Sequence, residues 1–254
     1  MTITTVFFDV GNTLLTPSVS EAEVFCEMAA RTGAVLESSD VELHMPEVYR
    51  FYEELYEQDD SFWASEQRAT AIWVSMYEYL CELCGLSTHA REIARLVHGA
   101  FFGAGFWKPF DDVMPVLEGL KQRGIRMGLI SNWDSSLESI IKGLGLDGYF
   151  EVIISSSVVE LHKPKPEIFE LALSRMGARA EQAMHVGDHI QADVAGAQAT
   201  GITPVLIDRT QHYPADSAPI VIRDLRELMN HLEPVGTAWR VPPAAAPFTL
   251  SPQR

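Results

Sequence analysis

Four stretches of this 254-residue chain set chemically capable side chains at or just after the ends of short apolar runs. "VFFDVGNTL" (6–14) meets Asp9, and "IRMGLISN" (125–132) closes on Ser131 and Asn132. "HKPKPEIF" (162–169) carries Lys163 and Lys165, and "MHVGDHIQAD" (184–193) supplies Gly187-Asp188 with Asp193 five residues further on. Carboxylate, hydroxyl, ammonium and a carboxylate pair together suit phosphoryl transfer. Asp9 and Asp188 are hard oxygen donors of the kind that bind Mg²⁺, an ion that keeps several waters and takes one or two carboxylates. Ser131 and Lys163 can neutralise and orient the outer oxygens of a phosphate. Asp9 can attack phosphorus to form an aspartyl-phosphate. Lys163, immediately before Pro164, is the phosphate candidate of the two lysines, and Lys165 reads as a surface charge.

The elements that must position these groups follow from periodicity. Residues 4–8 are β-branched and aromatic and predict a short buried strand. Further strands at 125–130, 151–155, 183–186 and 203–207 alternate with helices at 112–123, 135–143, 166–176, 192–200 and about 222–232. Such alternation implies an α/β fold, a Rossmann-like parallel sheet with helices on both faces. Ligands of such sheets bind beyond the carboxyl ends of the strands, where all four stretches deliver their polar groups. From about Ser18 to Gly103 the pattern is helical throughout. Ser20-x-x-Glu23 and Ser39-x-x-Glu42 read as capping boxes, and Ser65 and Ser87 as N-caps of two further helices ending near Gly85 and Gly99. The expected organisation is a core of residues 1–16 and 108–233, an inserted helical cap domain at 17–107, and an extended C-terminal tail at 234–254.

These residues resemble the motifs of the haloacid dehalogenase (HAD) superfamily, with a helical cap inserted after the first strand. The first motif, D-x-D-x-[TV], is matched by Asp9-Val10-Gly11-Asn12-Thr13 except at its second Asp, where Gly11 stands. Ser131, with Asn132 beside it, resembles the second motif; Lys163 in "KPKPEIF" the third; Gly187-Asp188 with Asp193 the fourth. The resemblance implies that Asp9 is the nucleophile and that Asp9, Asp188 and the backbone carbonyl of Gly11 hold Mg²⁺. Asp193 would support the metal or orient Lys163, and Ser131, Asn132 and Lys163 would bind the phosphate.

In the family's phosphatases the second Asp protonates the leaving alkoxide and then activates water, help worth about 10²–10⁴-fold. Gly11 cannot supply it, and three readings stay open. The chain is a Mg²⁺-dependent phosphohydrolase whose helper comes from elsewhere, Asp134 or His44 for instance, or whose acyl or aryl leaving group needs no proton. It is a 2-haloacid dehalogenase-type hydrolase, in which halide departs as an anion; those members need no Mg²⁺ and usually lack the G-D-x-x-x-x-D pair. Or it is a HAD-fold binding protein that has lost catalysis. Phosphonate-cleaving members need a cap lysine, and residues 17–107 contain none. The first reading, on a small phosphorylated metabolite, fits the retained polar groups best.

Composition narrows the partners. A net charge of −16 disfavours nucleic acid and anionic membranes. Residues 17–107 hold sixteen Asp and Glu against five Arg, a field that favours a small monophosphate over a nucleotide or bisphosphate. No apolar run reaches membrane-span length and no signal-peptide pattern opens the chain, so a cytoplasmic protein is expected. Cys26, Cys81 and Cys84 are an odd count, against a disulfide framework, and Cys81-x-x-Cys84 reads as core thiols within a helix. Tyr49, Phe51, Tyr52, Tyr56, Phe62 and Trp63 read as helical packing. Trp133 and His189 are rim candidates, and His185 is expected to pack within its strand.

Overall fold

The computed structural model describes residues 2–232, so the expected tail lies outside the described residues. Eight strands are formed: β1 Thr5–Phe8, β2 Leu15–Pro17, β3 Trp107–Pro109, β4 Arg126–Ser131, β5 Val152–Ser155, β6 Ala183–Gly187, β7 Thr203–Ile207 and β8 Val221–Ile222. Six of them make one sheet in the order β5-β4-β1-β6-β7-β8, every pairing parallel. β1 is central because both its faces are apolar and both are covered. Val6 and Phe8 pack with Val113, Leu117 and Val186 on one side, and Phe7 with Ile168, Phe169 and Ala172 on the other. Gly128 in β4 leaves room for Phe7, since a Cβ there would meet the Phe7 ring and the Met176 sulfur at 3.0 Å.

The helical segment leaves and re-enters the core through β2 and β3, which pair antiparallel with Pro17 opposite Trp107 and Leu15 opposite Pro109. This two-stranded junction is not visible in the sequence pattern. Between its strands lie helices Glu21–Ala30, Ser38–Glu42, Met45–Gln58, Glu66–Leu83 and Ala90–Phe101, with a separate apolar cluster around Phe25, Met76, Tyr77, Leu80 and Ile93. Cys81 is buried in that cluster and its thiol contacts the Ala90 carbonyl. The capping box at Ser20 and Glu23 forms, and Ser65 caps its helix through the Arg68 amide. The one expected at Ser39 does not, because the helix starts two residues earlier, at Ser38, with Glu37 at its N-cap. Ser87 opens a 3₁₀ turn instead of a helix; the helix begins at Ala90 and runs through Gly99.

Two core helices also depart from expectation. The segment expected at 192–200 starts as a π-helical turn, Ile190–Ala195, before an α-helical turn at Gly196–Ala199. Such turns recur at functional sites. Beyond residue 220, Val221 and Ile222 pair with β7 as an edge strand, and a 3₁₀ segment, Leu225–His231, follows behind a capping box of Asp224 and Glu227. An apolar pair beside an open sheet edge gains backbone hydrogen bonds that a helix start would leave unmade. Among the described residues no helix is long and apolar enough to cross a membrane.

Candidate active site

The carboxyl ends of β4, β1 and β6 lie side by side, and the chemistry-bearing residues leave the sheet there. Asp9 follows β1 directly, its amide donating to the Val186 carbonyl at 2.8 Å, and is 7% exposed. The Ser131 hydroxyl, at the end of β4, donates to Asp9 Oδ1 at 2.9 Å. Lys163 Nζ donates to the same Asp9 Oδ1 and to Asp193 Oδ1, both at 2.6 Å, with Lys163 itself 2% exposed. Among the described residues, the second Asp9 oxygen, Oδ2, accepts no hydrogen bond.

Asn132, expected at the phosphate, reaches the backbone of Lys163. Its Nδ2 donates to the Lys163 carbonyl at 3.0 Å and its Oδ1 accepts from the Lys163 amide at 2.8 Å. Both ends of the amide hold the lysine's backbone. Asp193 is likewise engaged at both oxygens: His185 Nε2 lies 2.8 Å from Oδ1, and the His189 amide donates to Oδ2 at 3.0 Å. Gly187 is demanded by space, since a Cβ there would come within 2.1 Å of the Asp193 carboxyl carbon. Thr13 Oγ1 donates weakly to Asp188 Oδ1 at 3.4 Å, and the Gly11 carbonyl accepts the Thr13 amide at 2.6 Å.

Electrostatics follow from this clustering. Asp9, Asp188 and Asp193 each offer an oxygen within 4.8 Å of the others, and among the described residues Lys163 is the one ammonium or guanidinium group bonded into the set. With all three carboxylates ionised, two negative charges would be left over. Burial, then the charges of Asp9 and Asp193, push the Asp188 carboxyl up to about 8. Burial opposes ionisation of Asp193 too, but the Lys163 charge and the His185 hydrogen bond outweigh it and hold this carboxyl well below its ordinary range. Burial works against a charged Lys163, yet Asp193 and Asp9 prevail and raise its pKa above the usual value, so it stays cationic. Hard oxygens with uncompensated charge are a donor set that fits a divalent cation.

The remaining candidates are placed as follows. The Asp134 carboxylate turns to the start of the next helix and accepts the Ser136 amide at 2.9 Å. His44 stands at the N-cap position of Met45–Gln58 without a side-chain cap bond. Lys165 is exposed. The His189 ring lies 5.4 Å from that of Tyr56, which reaches over from the helical segment. That segment is also tied to the core by Glu66, which accepts from the Ser135 amide and hydroxyl and from the Ser157 hydroxyl at 2.7–2.9 Å. A groove of about 510 Å³, lined in part by Asn12, Asp188, Arg209 and Tyr213, opens beside the cluster. The sequence reading placed His185 in the strand packing and gave Glu66 no role. The only signal for His185 was an ionisable residue inside an otherwise apolar strand; Glu66 gave none, because its partners are 69 and 91 residues away.

Comparison with known proteins places the chain in a family. The description "haloacid dehalogenase-like hydrolase" matches residues 3–201. Haloacid dehalogenase-like hydrolase domain-containing protein 3 of Danio rerio is 30% identical over 206 residues, 80% of this chain and 84% of that one. A glyceraldehyde 3-phosphate phosphatase of Methanopyrus kandleri is 30% identical over 216 residues, 83% of this chain and 86% of that one. A HAD-hydrolase of Bacillus subtilis, solved bound to magnesium, shares the fold with a TM-score of 0.77 at 18% identity, over 92% of this chain and 100% of that one. With the match running from β1 through Asp193, this chain belongs to the haloacid dehalogenase-like hydrolases.

Proposed function

We propose that this chain is a Mg²⁺-dependent phosphohydrolase that acts on a small phosphorylated metabolite through an aspartyl-phosphate on Asp9. One observation carries the reading: Ser131 and Lys163 converge on a single oxygen of Asp9 and, among the described residues, leave the other without a partner. A carboxylate pinned at Oδ1 is oriented for attack through Oδ2. The hydroxyl and ammonium that pin it can also donate to phosphate oxygens as charge builds there, help worth about 10²–10³-fold per donor. Lys163 acts as a donor and not a base, since its two carboxylate partners keep it protonated. Asp193, His185 and Asn132 act through Lys163 by fixing its position.

Asp9, Asp188 and the Gly11 carbonyl would hold the Mg²⁺, with Asp193 behind them. The bound ion would supply the positive charge that lets a carboxylate approach a phosphate dianion. Residues 17–107 are read as a cap over this rim, because Tyr56, Trp63 and Glu66 all meet core residues there. Its acidic balance and the groove beside Asp188 favour a compact substrate.

The test is phosphate release from aryl, acyl and alkyl phosphates, and halide release from 2-haloacids, with Mg²⁺ or with EDTA. Mg²⁺-dependent phosphate release that Asp9→Asn abolishes supports the proposal. Metal-independent halide release would replace it with the dehalogenase reading. No turnover on either panel would leave a binding protein.

A further inference from the structure

A glycine is required where the backbone turns left-handed or where space runs out. Gly11 is not among the glycines with positive φ, so its backbone would accept any L-residue. Space decides instead: a Cβ at position 11 would lie 3.3 Å from Cζ3 of Trp133, inside ordinary carbon–carbon contact. The two residues meet because β1 and β4 are parallel neighbours, Phe8 opposite Leu129, and both loops leave the same edge.

The indole is held where it is. Trp133 Nε1 donates to Ser136 Oγ at 3.1 Å, and the ring sits 4.9 Å from that of Trp107. The backbone is fixed as well: its amide donates to Ser156 Oγ at 3.1 Å, and its carbonyl accepts from Ser155 Oγ at 2.8 Å and the Ser157 amide at 3.2 Å. The flanking polar groups face elsewhere, Asn132 toward the Lys163 backbone and Asp134 toward Ser136. On the opposite rim, the Tyr56 ring packs 5.4 Å from that of His189, whose Nδ1 accepts the Ala192 amide at 3.1 Å. The loops after β1 and β4 therefore set the Trp133 indole beside position 11, with the Asp134 carboxyl turned to Ser136.

The geometry points to Trp133 as the residue that sets leaving-group specificity: its indole excludes a carboxylate from position 11 and restricts the site to phosphates on carboxylic acids or phenols. This rests on the phosphohydrolase reading above. In the first step an Asp9 oxygen–phosphorus bond forms and the phosphorus–leaving-group bond breaks. The electron pair stays on the departing oxygen, as a carboxylate or phenolate that needs no proton. Water then adds to phosphorus and the Asp9–phosphorus bond breaks, giving back the Asp9 carboxylate and releasing dihydrogen phosphate, which carries both hydrogens of the water. A flat or apolar leaving group gains contact with the indole, while an alkoxide would depart unprotonated and slowly.

Four proteins decide the matter: the native chain, Gly11→Asp, Trp133→Leu and the double variant. Each is assayed with Mg²⁺ on p-nitrophenyl phosphate, acetyl phosphate and glycerol phosphate, and each is melted. The native chain should cleave the aryl and acyl esters at least about 100-fold faster than the alkyl ester. Gly11→Asp alone should lose about 2–12 °C of melting temperature through overpacking and gain no alkyl activity. In the double variant most of that loss should be absent relative to Trp133→Leu, and alkyl activity should rise at least tenfold. Gly11→Asp melting like the native chain, additive melting effects, or native alkyl rates equal to aryl rates would overturn the inference. If no variant releases phosphate from any ester, the phosphohydrolase reading and the substrate assignment both fall; the melting cycle still decides whether Trp133 excludes a side chain at position 11.

Discussion

Replacing Asp193 by Asn removes one of two carboxylates that hold a fully buried ammonium. Lys163 and Asp193 are each 2% exposed and 2.6 Å apart, so water cannot take over the lost role. Breaking a buried pair from one side costs about 3–5 kcal/mol. Asp9 still holds the ammonium at 2.6 Å, and Asp188 loses a repulsive neighbour, which offsets part of the cost. A net loss of about 2–3 kcal/mol results, a fall of about 4–12 °C in melting temperature for a chain of this size. The pH dependence has a definite sign. The Asp193 carboxyl titrates lower in the folded chain than in the unfolded one, so its stabilisation is present above about pH 4 and is lost as pH falls through the lower folded value. Urea unfolding of both proteins at pH 7, 5 and 3.5 reads this directly. The gap should be narrower at pH 3.5 than at pH 5. Equal stability at pH 7, or a gap at pH 3.5 as wide as at pH 5, would refute the reasoning.

Two further outcomes are expected. Ser131→Ala should lower kcat by about 10²-fold with little change in melting temperature, measured on the best phosphate ester, because the hydroxyl's role is to hold charge and not to fill space. Glu21→Gln should stabilise the chain at pH 8 and leave it unchanged at pH 4. Burial, only partly offset by the Tyr49 hydroxyl, pushes the Glu21 carboxyl up to about 7, so its contribution is full below the unfolded pKa and lost as pH rises through 7. The gain at pH 8, read from urea midpoints, should be about 1–3 kcal/mol.

The strands and the convergence of polar groups were legible because they rest on local pattern. Short apolar runs ending in Asp, Ser or Gly-Asp declare both a buried strand and the rim where it stops. Parallel pairing then brings Ser131 and Lys163 to Asp9 from 122 and 154 residues away. Side-chain direction was not legible. Asn132 had the right position for a phosphate ligand, but nothing local says that its amide closes on the Lys163 backbone. His185 looked like packing until Asp193 folded back over Gly187 to meet it. The β2–β3 junction escaped notice because strands of three residues carry no readable period. The last segment was read as a helix because Val221 and Ile222 gave no sign of the open β7 edge they would pair with.

The central claim is that Asp9 becomes phosphorylated during turnover. The direct measurement is an acid quench of the chain reacting with p-nitrophenyl phosphate and Mg²⁺, followed by borohydride reduction and peptide mass spectrometry. An aspartyl-phosphate is reduced to homoserine, whereas a free carboxylate is not. The account predicts homoserine at position 9 with substrate and Mg²⁺ together, and none with EDTA. Phosphate release at a measurable rate with Asp9 recovered unreduced would contradict it.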